Sequence, residues 1–119
     1  MTDPGVTAIV RKAAEGVYAV DIEGEITLSA ESALTKAYAE ATDAGAQVIL
    51  LNFAKMAYMN SSGIGLLVTL LIRTQRQGQR LLACGLSEHY RHIFEITQLN
   101  AAIEIFDSEG DALAAVNKR

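Results

Sequence analysis

Several things are scarce in this chain of 119 residues. It has one cysteine, so no intrachain disulfide can form, and the count suits a reducing compartment. It has no tryptophan and only 6% aromatic residues, too few for a base-stacking platform. Its one proline, Pro4, leaves few hard breaks beyond the first residues. The longest mostly apolar run, Ile64 to Ile72, spans nine residues. About 20 are needed to cross a bilayer, so membrane insertion is not expected. The opening Met1-Thr2-Asp3-Pro4-Gly5 lacks a basic stretch followed by an apolar one. No signal peptide is expected, and the cytoplasm is the default address. Basic charge is also short. The formal net charge is −4; residues 1–60 carry 4 basic and 8 acidic side chains, and residues 61–119 carry 6 of each. Neither half is a basic stripe, so nucleic acid is not an expected partner.

What is present is ordinary for a globular domain: 50% hydrophobic and 20% charged residues, in a length that suits one domain. Val6–Arg11 and Val17–Ile22 read as strands joined by a turn at Glu15-Gly16, an antiparallel hairpin in which Tyr18, Val20 and Ile22 share one face. Ser29 to Thr42 reads as a helix capped by Ser29, with Leu34, Ala37, Tyr38 and Ala41 inward and Gly45 at its left-handed end. The apolar run 47–53 has the look of a central strand buried on both faces, followed by a loop. A second helix should start at Asn60 or Ser61 and stop at Gly78, with Ile64, Leu67, Val68 and Leu71 as its core stripe. Then come a strand at Arg80–Cys84, a helix from Ser87 to about Ile96, a strand at Ala102–Phe106, and a helix capped by Asp107 or Ser108. The order β-β-α-β-α-β-α-β-α predicts an α/β domain, its sheet mostly parallel with an antiparallel N-terminal edge hairpin. Right-handed crossovers between neighbouring strands would place most helices on one face.

Catalytic constellations are poorly supported. There is no G-x-S-x-G elbow, and His89 and His92 read as a solvated helix face rather than as bases for Ser61 or Ser62. Cys84-x4-His89-x2-His92 does not have zinc spacing. Asp21, Glu23 and Glu25 would alternate to one side of a strand, but a hard-cation site needs several converging oxygens. Gly63-Ile64-Gly65 lacks the rest of a dinucleotide or P-loop signature; glycines there would serve close packing of helix on sheet. No metal, no cofactor and no enzymatic activity are expected.

The informative segment is Met59-Asn60-Ser61-Ser62-Gly63, where an apolar helix begins with two hydroxyls in its first turn. Capping of free N–H groups explains one such residue. The other reading is a hydroxyl that accepts a phosphoryl group, whose charge the helix N-terminus would favour.

These residues, with others along nearly the whole chain, resemble the STAS domain family, and the bacterial anti-sigma-factor antagonists within it. Gly24-Glu25-Ile26 is similar to the family's Gly-Glu-Leu, and Asn60-Ser61-Ser62-Gly63-Ile64-Gly65 to its Asp-Ser-Ser-Gly-hydrophobic-Gly motif. Leu81–Leu86, Ile93–Leu99 and Phe106-Asp107-Ser108 with Ala112-Leu113 resemble its later elements. The resemblance implies a single STAS domain over residues 1–119, with 1–5 as a disordered tail. It implies a partner-switching binding protein that engages an anti-sigma factor, itself a serine kinase of the GHKL type, and is phosphorylated on Ser61. A PP2C-type phosphatase would reverse the modification. The expected partner surface is Thr27, Tyr58, Met59, Asn60, Ser62 and Gly63, with Tyr58 and Met59 giving apolar contact. Asn60, Thr27 and Asn52 stand where the family commonly has acidic residues, all three expected near that surface. The alternative is a stressosome-like scaffold or a lipid-transport-associated subunit in which Ser61 is only a helix cap.

Overall fold

A computed structural model describes residues 5–117. A hairpin comes first in the chain. β1 (Val6–Ala14) and β2 (Val17–Ile26) pair antiparallel, with Gly16 at φ +74° in the turn between them. A 3-10 turn at Leu28–Ala30 leads into α1 (Glu31–Asp43), then β3 (Val48–Met59), α2 (Ser61–Arg76) and β4 (Arg80–Cys84). α3 (Glu88–Ile96), a 3-10 turn at Leu99–Ala101, β5 (Glu104–Phe106) and α4 (Glu109–Asn117) complete it. The five strands lie in sequence order, β1-β2-β3-β4-β5, and every pairing after the hairpin is parallel.

Strand alternation divides the interior into two clusters. Val20, Ile22, Ile49, Leu51, Phe53, Leu81 and Ala83 point to one face, where they meet Leu34, Tyr38 and Ala41 of α1, Leu67 and Leu70 of α2, and Phe94 of α3. Phe53 and Phe94 cross edge to face at 6.3 Å between ring centroids. Val17, Ala19, Val48, Leu50, Leu82 and Cys84 point the other way, against Ala112 of α4 with Leu113 and Val116 beside it. The three crossover helices thus share a face, as right-handed connections between neighbouring strands require, and α4, which follows the last strand, packs on the other.

Several expectations are corrected. β2 and β3 run beyond the predicted strands: what was expected as a loop after Phe53 stays paired to β2 through Lys55, Met56, Tyr58 and Met59. Ser29 does not cap α1. It sits inside the 3-10 turn with its Oγ 2.9 Å from Thr27 Oγ1, and α1 starts after Ala30 with no side-chain cap. The core stripe of α2 is rotated. Gly63, Leu67, Leu70 and Thr74 are buried, Ile64 and Leu71 are half-buried, and Val68 is 37% exposed. Thr74 tolerates burial because its Oγ1 donates to Leu71 O at 2.7 Å. Residues 1–4 of the expected tail lie outside the described residues, whereas the Gly5 carbonyl accepts from Glu25 N at 2.8 Å and extends the hairpin ladder.

Candidate functional site

The start of α2 is built by the ends of β2 and β3. Ile26 closes β2, and its carbonyl accepts from Asn60 N at 3.3 Å. A Cβ on Gly63 would stand 2.2 Å from that same carbonyl oxygen and 2.9 Å from Met59 Cγ. Only glycine lets the first turn of α2 come this close, so Gly63 sets the approach of helix to sheet. Gly65, expected to do the same, does not: nothing lies within 4 Å of its would-be Cβ. From the other side, Met59 N donates to the hydroxyl of Tyr90 on α3 at 3.0 Å, fixing the last residue of β3.

Asn60 is the N-cap. It has extended backbone angles, and its Oδ1 accepts from Gly63 N at 3.0 Å while its carbonyl takes Ile64 N at 3.0 Å. Capping needs one such residue, and Asn60 supplies it. Ser61 is therefore not the residue that caps α2. Ser61 and Ser62 occupy the first turn, exposed, and neither hydroxyl has a hydrogen-bond partner among the described residues. No Lys or Arg occurs between Lys55 and Arg73 to meet a charge placed there.

The other expected surface residues divide by burial. Tyr58 is 46% exposed. Thr27, half-buried, leads into the 3-10 turn that packs beside α2. Met59 is buried in the larger cluster and cannot offer apolar contact outside, because the strand turns its side chain under Gly63. Gly63 is buried too, so both residues shape the surface without forming it. Leu28 is 64% exposed in the 3-10 turn beside α2 and presents a large apolar side chain next to Thr27.

Asn52 is not part of this surface. It shares the face of Leu50 and Cys84, where its Nδ2 donates to Asp21 Oδ1 at 2.9 Å and its Oδ1 accepts from Ala54 N at 3.1 Å. Arg11 joins the same row. It holds Asp21 with two bonds, at 2.6 and 2.9 Å, and Glu109 of α4 with two more, at 2.9 and 2.5 Å. Hydrogen bonds from Arg11 keep both carboxyls below their ordinary range. Glu23 faces Lys55 at 3.8 Å, so Asp21 and Glu23 both have cationic partners in place of a metal ion. No group of three or more His, Cys, Asp or Glu side chains suited to a metal occurs among the described residues. Burial pushes the Cys84 thiol up to about 11, so it stays protonated at neutral pH. His89 and His92 are exposed, His89 against the Tyr90 ring and His92 3.6 Å from Glu95. A cleft of about 720 Å³ lined by Gly16, Gln47, Arg80 and Val116 lies where β2, β3 and β4 begin, at the opposite end of the sheet from Ser61. No helix among the described residues is long and apolar enough to cross a membrane.

Comparison with known proteins places the chain. It is 33% identical over 64 residues to the anti-sigma-B factor antagonist of Listeria monocytogenes, covering 54% of this chain and 56% of that protein. The match thus spans little more than half the length of that relative. The anti-sigma-B factor antagonist of Staphylococcus epidermidis is 27% identical over 88 residues, covering 74% of this chain and 82% of the relative. In fold, the chain is similar to the Bacillus cell fate determinant SpoIIAA in its phosphorylated form. The TM-score is 0.72 at 19% identity, over 93% of this chain and 100% of the other. The STAS domain profile matches residues 8–112, which take in the hairpin, the Ser61 motif and the start of α4, and this chain belongs to the STAS domain family.

Proposed function

We propose that this chain is a cytoplasmic anti-sigma-factor antagonist whose complex with its anti-sigma factor is ended by phosphorylation of Ser61. One observation carries the reading. Asn60 does the capping, so the Ser61 hydroxyl is exposed and unspent at the start of a helix. The names of the Listeria and Staphylococcus relatives support the partner class, and a phosphorylated form of SpoIIAA supports the modification.

The partner is an anti-sigma factor that is also a serine kinase of the GHKL type. Its binding surface on this chain is Thr27, Leu28, Tyr58, Asn60, Ser61 and Ser62, supported from beneath by Met59 and Gly63. Gly65 belongs to the same surface. A helix-interior glycine costs up to about 1 kcal/mol relative to alanine, and here no packing in the fold repays it. A bare backbone at that position lets a partner approach closely. In the transfer step, Ser61 Oγ gives up its proton to the kinase and bonds to the γ-phosphorus of ATP, and ADP leaves. The chain contributes no cofactor. The phosphate brings about −1.5 to −2 charge to a surface without a nearby cation in sequence, so re-forming the complex would require its desolvation. In the free protein the helix N-terminus favours that charge, so the fold survives and only the complex is lost. A PP2C-type phosphatase restores the hydroxyl.

The test pairs intact mass measurement with a binding titration, using a kinase encoded beside this chain. Wild type is expected to gain one phosphate, and Ser61→Ala to gain none while still binding. Ser61→Asp is expected to bind more weakly than Ser61→Ala, and Thr27→Arg to weaken binding with the fold intact. Asn60→Asp keeps the cap and is expected to speed phosphorylation. No phosphate on wild type, together with equal binding by Ser61→Asp and Ser61→Ala, refutes the reading.

A further inference from the structure

The edge strand β1 carries an unused pairing surface. The Gly5 carbonyl accepts from Glu25 N, and Val6 stands opposite Gly24. The hydrogen-bonded pairs of this ladder are therefore Thr7 with Glu23, Ile9 with Asp21 and Arg11 with Ala19. It follows that the N–H and C=O groups of Val6, Ala8, Val10 and Lys12 point away from β2. No hydrogen bond engages them among the described residues.

Edge strands are ordinarily blunted by brevity, proline, an inward charge or a bulge. β1 has nine residues, no proline, and no charge before Arg11; its bulge falls only between Lys12 and Ala14. Midway along this open edge stands Ile9, 60% exposed on the face that α4 leaves uncovered there.

We propose that β1 pairs antiparallel with β1 of a second copy of this chain, about a two-fold axis at Ile9. This register uses every outward group from Val6 to Lys12 and ends before the bulge. Ala8 and Val10 exchange hydrogen bonds with Val10 and Ala8 of the second copy, and Val6 and Lys12 with Lys12 and Val6. Ile9 meets its own copy in a non-hydrogen-bonded pair, the closer of the two antiparallel spacings. Arg11 stands opposite Thr7 and Lys12 opposite Val6, so no like charges face each other. Moving the axis to Arg11 sets two guanidinium groups face to face, and moving it to Val10 runs Val6 against the bulge at Ala14. The contact is isologous and closes on itself. It rests on one strand, so the dimer is weak and concentration-dependent. β3, which leads into Ser61, lies two strands inward, and the surface around Ser61 stays open in both copies.

Sedimentation of the chain from micromolar to millimolar concentration is expected to show a reversible monomer–dimer equilibrium. Ile9→Lys puts two ammonium groups against each other and is expected to raise the dissociation constant at least tenfold. Its thermal midpoint at low concentration should match wild type, because Ile9 is exposed. Ile9→Cys is expected to form a disulfide-linked dimer on mild oxidation, much faster than Thr7→Cys or wild type, whose Cys84 is buried. A chain that stays monomeric throughout overturns the proposal. So does a dimer unaffected by Ile9→Lys, or one that Thr7→Cys links as fast as Ile9→Cys. Exchange protection of the Ala8 and Val10 amides only when a different protein is added assigns the edge to that protein instead, and also overturns it.

Discussion

The two faces of the sheet are held by different physics. On one face, three helices bury Phe53, Phe94, Ile22 and Leu67 in a continuous apolar cluster. On the other, α4 alone crosses among the described residues, and Ala112 is its one buried residue. Beyond the small apolar patch beneath α4, a polar row runs across three strands: Arg11 on β1, Asp21 on β2 and Asn52 on β3, with Glu109 reaching down from α4. Stability on the first face comes from area removed from water and changes little with pH or salt. Attachment of α4 depends partly on charge pairs that acid and salt can reach.

The largest effect is expected on the first face. Leu67→Ala removes a fully buried side chain and should cost about 2–5 kcal/mol in denaturant unfolding. Val68→Ala, one residue along, should cost under about 0.5 kcal/mol. Equal losses at the two positions would return α2 to the stripe that periodicity alone suggests.

The next test compares two glycines of one helix. Gly63→Ala drives a methyl group into the Ile26 carbonyl, which is backbone and cannot rotate aside, and should cost about 1–3 kcal/mol or more. Gly65→Ala meets nothing and should raise stability by about 0.5–1 kcal/mol. If the same variant weakens partner binding, that glycine serves the surface rather than the fold.

The smallest effect at neutral pH belongs to the second face. Arg11→Gln should cost about 0.5–1 kcal/mol there, since the pairs are partly exposed. Its pH dependence is more telling. Asp21 and Glu109 have folded pKa values below the unfolded ones, so their contribution is present above the ordinary carboxylate pKa of about 4 and is lost as pH falls through the folded values. Wild type should therefore lose its advantage over Arg11→Gln on acidification, and the two unfolding curves should converge once pH has fallen below both folded values. Curves that stay parallel would remove Arg11 as the anchor of α4.

Element order was readable because the buried strands and capped helices carry strong local signals: the run 48–53, Ser87 accepting from Tyr90 N, and Gly45 and Gly78 at positive φ. What escaped is set by tertiary pairing. Lys55 interrupts the apolar residues after Phe53, and it is the register of Lys55, Met56, Tyr58 and Met59 with β2 that continues the strand. The phase of α2 escaped because Leu66, Leu67, Val68, Leu70, Leu71 and Ile72 nearly encircle it, so several stripes fit and contact with Ile26 selects one. At the site, Asn60, Ser61 and Gly63 were legible as a motif. The separation of capping from the free hydroxyl was not, because either Asn60 or Ser61 could have capped. Asn52 was misplaced because its side depends on strand parity, which places it with Leu50.

The length of β3 has one more consequence. Asn52 is the last residue of β3 to pair with β4, yet the strand runs on to Met59. At about 3.3 Å per residue, that overhang sets Ser61 on the order of 20 Å from the Arg11 row. The Debye length in physiological salt is about 8 Å. A phosphate on Ser61 is thus electrically insulated from the charges that hold α4. The modified and unmodified proteins should therefore lose the Arg11 contribution over the same range of pH, and the mark is not read through the Arg11 row.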